Sequence, residues 1–415
     1  MSLPEVLRHR DFTLYWSGVV LSQIGTRGTV AANFFHVYAL TGSVMQTGLV
    51  GAAQAVALLV LSPLGGFYAD RMDRRRLLQW AQAVALLVAL GLAVLTLTGV
   101  VTAWQVLLSV LLTTAAATFD QPARQALIPA MVPRSQLPQA FALLNPSREL
   151  AVLAGPAIAG LLITAGGPGL MYALDAITYA ALIVVLALLK VPPLAADTVP
   201  QSLWRGIAEG ARFVARRRII WKLMTLDLSA TLFGAYRAVL PALAIDVLHV
   251  GGTEYGLLAA APSAGALLAT YAVFRVVDRS RRLGRVLLVS TVLYGVSAVL
   301  LAQSPALALA LAAAGLLGAF DAMATSIRHA AVQLETPDEL RGRVSAFYQM
   351  SSRGGPALGD TLIGAVAGVV GPVVALTAGG LVPVCYAGAF LLRPTEVRSY
   401  QGADDVAERS AASTQ

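Results

Sequence analysis

Apolar runs of about 20 residues, separated by short charged loops, dominate this sequence. A run of that length crosses the hydrocarbon core of a bilayer as an α-helix, which rises about 1.5 Å per residue. Twelve such runs lie at residues 14–39, 46–69, 77–98, 103–127, 139–164, 170–190, 219–247, 254–276, 284–303, 305–330, 343–368 and 372–392. The sequence therefore predicts an all-α integral membrane protein with twelve transmembrane helices.

The composition supports a protein that lives in the lipid bilayer. Hydrophobic residues make up 57% of the chain and charged residues 13%, whereas a soluble domain carries about 25% charged residues. The net charge of +8 comes from arginines in the loops, and aromatic residues are not interleaved with them, so we expect no nucleic-acid partner. Cys385, the only cysteine, lies in an apolar run. We therefore expect no disulfide, no metal and no cofactor.

The loop charges predict the topology. Loops at residues 40–45, 99–102, 165–169, 248–253, 303–305 and 369–371 contain no Lys or Arg, and the loops and tails between them all contain Arg. Short loops rich in Lys and Arg stay in the cytoplasm. We therefore expect a multi-pass protein of the cell inner (plasma) membrane with both termini in the cytoplasm.

The chain divides into two similar halves. Asp70-Arg71 and Phe119-Asp120 recur as Asp278-Arg279 and Phe320-Asp321, about 200 residues later. The predicted parts are an N-terminal six-helix bundle (1–190), a cytoplasmic linker with a surface helix (191–218), a C-terminal six-helix bundle (219–392) and a disordered cytoplasmic tail (393–415). A parallel duplication of this kind predicts two pseudo-symmetric bundles with a substrate site between them.

Polar residues inside the runs indicate a polar interior. A charge that faces lipid at mid-depth costs about 2.5–3.5 kcal/mol, so these side chains must face protein or water. They are Arg27, Asn33, His36, Asp120, Arg124, Arg148, Glu149, Asp175, Asp227, Arg237, Asp321, Arg328, His329, Arg353 and Asp360.

Two acid–base sets occupy corresponding places in the two halves. Asp120 and Arg124 are four residues apart, and Asp321 and Arg328 seven apart, so in each half the acid and the base share a helix face. We interpret them as intramembrane ion pairs, with a gating role as the alternative.

Four other residues are candidates for coupling or substrate binding. Arg27, Asp227 and Arg237 have no oppositely charged residue at helical spacing on their own helices, and Asp360 is a further acid within a span. A desolvated carboxyl group can bind a proton near neutral pH, whereas Arg stays charged. Asp227 is therefore the first choice for a proton site, with a structural partnership to an arginine as the alternative.

The loop Gly65 to Arg76 reads GGFYADRMDRRR and resembles the loop between the second and third helices of the major facilitator superfamily. Asp73 stands where that pattern has a second glycine. The resemblance implies that Gly66, Asp70, Arg71 and Arg74 form a gate that holds the two halves together on the cytoplasmic side.

A second motif is similar to the G-P-x-x-G-G motif of exporters in this superfamily. Gly155, Pro156 and Gly160 match it, and Ala159 replaces one glycine; close helix packing is the alternative reading. Nearly the whole chain resembles the branch of enterobactin exporters and macrolide efflux proteins. Residues 104–118 lack the arginine that many proton antiporters of the superfamily carry in the fourth helix.

The resemblance implies a monomeric secondary active transporter that exports amphipathic small molecules, drug-like or siderophore-like, by proton antiport with alternating access. The expected partners are a small-molecule substrate, a proton or other coupling ion, and the bilayer. A lysophospholipid or other lipid transporter of the same fold is the alternative. A membrane enzyme or receptor that transports nothing is disfavoured by the duplicated halves, and the chain contains neither a phosphate-binding loop nor a zinc-protease motif.

Overall fold

The computed structural model describes residues 5–190, 203–279 and 282–402, and the regular structure in these residues is helical. The α-helices of this described part are α1 (Arg10–Thr41), α2 (Val44–Arg71), α3 (Arg74–Leu97), α4 (Ala103–Leu127), α5 (Leu137–Gly166), α6 (Pro168–Leu188), α7 (Leu203–Arg216), α8 (Arg218–Leu228), α9 (Leu240–Ala242), α10 (Gly252–Arg279), α11 (Leu283–Ala302), α12 (Leu307–Leu334), α13 (Asp338–Val370), α14 (Pro372–Leu392) and α15 (Glu396–Ser399). Short 3₁₀ turns lie at Glu5–Arg8, Ile128–Ala130 and Arg134–Gln136.

The helices confirm an all-α protein built for a membrane. In the described part of the chain, eight helices are long and apolar enough to cross a bilayer: α2, α3, α4, α5, α6, α11, α12 and α14. The other four predicted spans lie on α1, on the α8–α9 region, on α10 and on α13. Several charged residues of the predicted set lie on these four.

The predicted span 219–247 is not one continuous helix, which corrects the prediction. The α-helix ends at Leu228, and π-helical turns at Ser229–Phe233 and Leu243–Val247 flank the short α9. Pro241 at the start of α9 has no N–H to donate, and its ring crowds the carbonyl group four residues earlier. The hydroxyl group of Tyr294 donates to the carbonyl oxygen of Gly234 at 2.9 Å, which satisfies a backbone group that the break leaves unpaired.

The first of two compact units contains most of the N-terminal half and the start of α10. It comprises Met1–Ser43, Ala52–Pro200 and Val250–Ala260. Within it α1 packs against α5 and α6, and α3 packs against α4 and α6. Its core includes the buried side chains of Phe12, Tyr15, Leu78, Leu127 and Leu182.

The second unit comprises Val44–Gly51, Gln201–His249 and Ala261–Gln415. Within it α11 packs against α12 and α14, and α13 packs against α14 and α7. The linker helix α7 is held on α13 by an ion pair of 2.6 Å between Glu209 and Arg343. Val214 of α7 is buried in the core of this unit, so the predicted surface helix is packed along one face.

The first ten residues of the predicted disordered tail are ordered. The helix α15 begins after Thr395, whose side chain accepts a hydrogen bond from the Arg398 amide. Val397 is fully buried, and the Gly284 amide donates to the Tyr400 carbonyl oxygen at 3.0 Å. Apolar burial and backbone hydrogen bonds thus dock this segment on the start of α11. The rest of the tail, 403–415, lies outside the described residues.

We predict that Gly318→Val destabilises the second unit. A Cβ atom at Gly318 of α12 would collide with the carbonyl oxygen of Pro262 on α10, a backbone atom that cannot move aside alone. Overpacking of this kind costs about 1–3 kcal/mol, so the Tm in detergent should fall. The control is Gly388→Val on α14, where no atom lies within 4 Å of the added carbon. Equal Tm values for the two variants would contradict this packing.

Candidate functional site

The loop between α2 and α3 carries the predicted gate. Helix α2 continues to Arg71, and Asp73 caps α3 by accepting a hydrogen bond from the Arg76 amide at 2.9 Å. Arg74 is partly buried at the start of α3. The side chains of Gly66, Asp70 and Arg71 lie outside the described residues, so their gate role stays a prediction.

A charged cluster lies between α1, α3 and α4 in the first unit. Nε of Arg124 is 2.5 Å from Oδ2 of Asp120, one helical turn away. Nε2 of Gln82 donates to Oδ1 of Asp120 at 2.7 Å, and Nη2 of Arg124 donates to Oγ of Ser22 at 3.4 Å. Three helices therefore surround this ion pair with polar partners.

The second unit buries its ion pair between two helices. Nη2 of Arg328 on α12 lies 2.5 Å from Oδ1 of Asp227 on α8, and each side chain is 3% exposed. Nη2 also donates to the Thr325 hydroxyl group at 2.9 Å. The direct partner of Arg328 is thus Asp227 on another helix, and the expected pairing of Arg328 with Asp321 stays a prediction. Asp227 has its cation on another helix, which spacing along one helix could not reveal.

Asp360 forms the third ion pair within a predicted span. Its carboxyl group on α13 is fully buried and pairs with the guanidinium group of Arg237, which lies in the break between α8 and α9. Nε of Arg237 donates to Oδ2 of Asp360 at 2.8 Å. The structure thus brings together two residues that the sequence named separately.

The residues of the exporter-like motif lie at close helix contacts in the first unit. A Cβ atom at Gly155 would be 2.7 Å from the Cβ atom of Arg27 on α1. At Gly160 it would be 2.7 Å from the Cα atom of Gly256 on α10. Gly155 and Gly160 therefore allow α5 to approach two helices, while Pro156 lies inside α5 without ending it.

A matching contact joins α2 and α13 in the second unit. A Cβ atom at Gly48 would be 2.9 Å from the Cα atom of Gly364, and one at Gly51 would be 2.8 Å from the Cβ atom of Asp360. The start of α2, in the first half of the sequence, thus packs through glycines on α13 of the second half. The start of α10, in the second half, packs in the same way on α5 of the first half.

Sequence reasoning did not single out Gln82, Ser22 or Tyr179, which contact the charged cluster or its neighbours. Each is a polar residue in an otherwise apolar run, and this pattern could have identified all three from the sequence. Among residues 5–190, 203–279 and 282–402, no group of three His, Cys, Asp or Glu side chains could hold a metal ion.

Comparison with known proteins identifies the family. Residues 4–413 match the family described as transmembrane secretion effector, which belongs to the major facilitator superfamily. The chain is a member of this superfamily. Membership confirms the resemblance seen in the loop between α2 and α3 and makes the protein a membrane-embedded transporter by family.

Relatives of this major facilitator protein include exporters. The enterobactin exporter EntS of Shigella boydii serotype 18 is 27% identical over 367 residues, or 88% of this chain and 87% of EntS. EntS of Escherichia coli O9:H4 is 26% identical over the same shares.

Solved structures show the shared fold. The nucleoside transporter NupG matches with a TM-score of 0.73 at 15% identity and covers 92% of this chain and 98% of its own. A bacterial homologue of ferroportin matches with a TM-score of 0.70 at 15% identity and covers 91% and 98%.

We predict that Asp227→Asn destabilises the protein more than the double variant Asp227→Asn, Arg328→Gln. Removing one partner of a buried ion pair leaves an uncompensated charge and costs about 3–5 kcal/mol, whereas the double variant buries two neutral amides. The readout is the Tm of each purified protein, analysed as a double-mutant cycle. Additive losses would show that the pair is not energetically coupled.

Proposed function

We propose that this protein is a secondary active transporter that exports amphipathic small molecules, drug-like or siderophore-like, by proton antiport with alternating access. In this proposal twelve spans form two six-helix bundles, residues 1–190 and 219–392, joined by the linker 191–218. The protein works as a monomer in the inner membrane with both termini in the cytoplasm. Its family and its similarity to EntS over 88% of the chain support export.

The observation that carries alternating access is the pair of glycine contacts at the first turns of α2 and α10. Gly48 and Gly51 pack on α13, and Gly256 packs on Gly160 of α5. Both first turns follow loops without Lys or Arg, which are expected outside the cell. Backbone surfaces that meet through glycine, without interlocked side chains, can separate and meet again during a cycle. In the proposal these contacts close the outer side, and Gly66, Asp70, Arg71 and Arg74 close the inner side.

Coupling requires an acid whose charge changes during the cycle. Arg27, Arg237 and Arg328 keep their charge, so they hold carboxylates or substrate rather than carry protons. Asp227 and Asp360 each have an arginine partner in this conformation. They remain candidates if the cycle separates these pairs, because a carboxylate that loses its cation within the membrane binds a proton more readily.

The substrate class follows from the relatives and from the apolar character of the spans. Apolar side chains contact an amphipathic molecule without fixing its orientation. A site lined by them therefore accepts many substrates. Phe34 is buried and Phe35 stacks on Tyr255 with ring centroids 5.2 Å apart, so these two aromatic residues pack helices. A lysophospholipid is the alternative substrate.

The test is uptake and efflux in cells with and without the protein. The probes are ethidium, a macrolide, a catecholate siderophore and a fluorescent lysophospholipid. We expect expression to lower the accumulation of ethidium, the macrolide or the siderophore, and an uncoupler to restore it. Efflux at full rate after uncoupling would refute proton antiport. Movement of the lysophospholipid alone would favour the alternative, and movement of no probe would contradict the proposed substrate class.

We predict that Gly51→Val slows transport while the protein still inserts in the membrane. The added side chain would push α2 away from the backbone of α13 around Asp360 and so hinder the closed outer state. Gly91→Val on α3 is the control, since nothing lies within 4 Å of its added carbon. Initial efflux rates, normalised to inserted protein, measure the effect. Equal rates for the two variants would argue that the α2–α13 contact has no part in the cycle.

A further inference from the structure

Asp175 is a fully buried acid that has no role in the transport cycle proposed above. It lies two turns into α6, against α1. Gly25 of α1 makes room for it, because a Cβ atom there would be 2.6 Å from Oδ1 of Asp175 and 2.5 Å from the Thr178 hydroxyl oxygen. The carboxyl group is therefore enclosed where two helices meet.

The groups that act on this carboxyl group are uncharged. The hydroxyl group of Thr178 on α6 makes a hydrogen bond to it, and the hydroxyl groups of Thr29 on α1 and Tyr179 on α6 lie near it. Oγ1 of Thr178 lies 3.4 Å from Oδ1, and Oδ2 has no hydrogen-bond partner among the described residues. By contrast, Asp120, Asp227 and Asp360 each have an arginine partner.

In the part of the chain that the structure describes, Asp175 takes part in no ion pair. On α1, Arg27 lies with its Cβ atom against Gly155 of α5, and His36 contacts Tyr172 of α6 at 3.1 Å. On α3, the apolar side chains of Ala85, Leu86 and Ala89 pack with Ala176 and Tyr179 of α6. A buried carboxylate without a cation destabilises the folded protein, and a bound proton removes its charge. Hydroxyl groups can form hydrogen bonds with both protonation states of the acid, because they donate to a carboxylate and accept from a carboxylic acid.

Polar groups of α1 and α6 lie between this acid and the charged cluster of the first unit. The Tyr179 hydroxyl oxygen is 3.0 Å from Oγ1 of Thr26, which donates to the Ser22 carbonyl oxygen at 2.9 Å. The Ser22 hydroxyl group then accepts from Arg124, the partner of Asp120. A change of charge at Asp175 would therefore act on groups that lead to this ion pair.

We propose that Asp175 is the proton-binding carboxyl group of this transporter. In this conformation it holds the proton. During the cycle the O–H bond breaks, the proton passes to water as hydronium, and a carboxylate remains on α6. The exchange step rests on the proposed antiport, whereas the bound proton can be tested without transport.

The test is infrared spectroscopy of the purified protein in lipid nanodiscs. A buried, protonated carboxyl group gives a C=O stretching band that carboxylates lack. We expect this band at neutral pH in the wild type, with an isotope shift when aspartate is labelled with carbon-13, and we expect Asp175→Asn to remove it. Asp246→Asn, a change at an exposed acid, is the matched control and should keep the band. An unchanged band in Asp175→Asn would overturn the proposal.

A second variant keeps the test decisive if Asp175→Asn does not fold. Thr178→Val keeps the shape of the side chain and removes the hydroxyl group that lies 3.4 Å from Oδ1 of the acid, so the band should move in frequency and persist. A spectrum identical to the wild type would place the protonated acid elsewhere.

Efflux of ethidium from proteoliposomes with an imposed proton gradient then tests the exchange. Asp175→Asn should lose uphill efflux and its pH dependence and retain downhill exchange. Uphill efflux at the wild-type rate would refute Asp175 as the coupling group. If the wild type carries the infrared band and moves neither ethidium nor the macrolide nor the siderophore, the proposed function fails and the proton site stands.

Discussion

Compensation of charge inside a low-dielectric interior is the constraint on which this structure depends. In water an exposed ion pair contributes little, but a charge within the membrane has no solvent to stabilise it, so each one needs a partner. The described residues meet this requirement with three ion pairs, Asp120–Arg124, Asp227–Arg328 and Arg237–Asp360. These ion pairs therefore constrain the positions of the helices more strongly than apolar packing alone would.

The same constraint separates two kinds of buried acid. An acid with an arginine partner stabilises a given packing of helices, and its charge is satisfied as long as the helices stay together. An acid beside hydroxyl groups, such as Asp175, forms no ion pair among the described residues, and in our proposal it is neutral in this conformation. A transporter built from both kinds can hold its architecture with the first and respond to protons with the second.

Much of the fold could be predicted from the sequence, because apolar run length and arginine placement are local signals. Helices α3, α4 and α6 lie within a few residues of their predicted spans. The irregular stretch between Phe233 and Leu240 was missed because hydropathy averages over a window and does not register Pro241 within an apolar run. Asp227–Arg328 was missed for a different reason: its partners are about 100 residues apart in the chain, and no spacing rule connects two helices. The Asp120–Arg124 pair lies on one helix, where spacing is informative.

The contact between α7 and α13 determines where the second half of the protein begins. By sequence α7 belongs to the linker, yet Glu209 pairs with Arg343 and Val214 is buried in the core of the second unit. A fragment that starts at residue 219 would expose an apolar strip on that core and leave Arg343 without this carboxylate. The boundary for expressing the C-terminal half, or for inserting a protease site between the halves, therefore lies before Leu203.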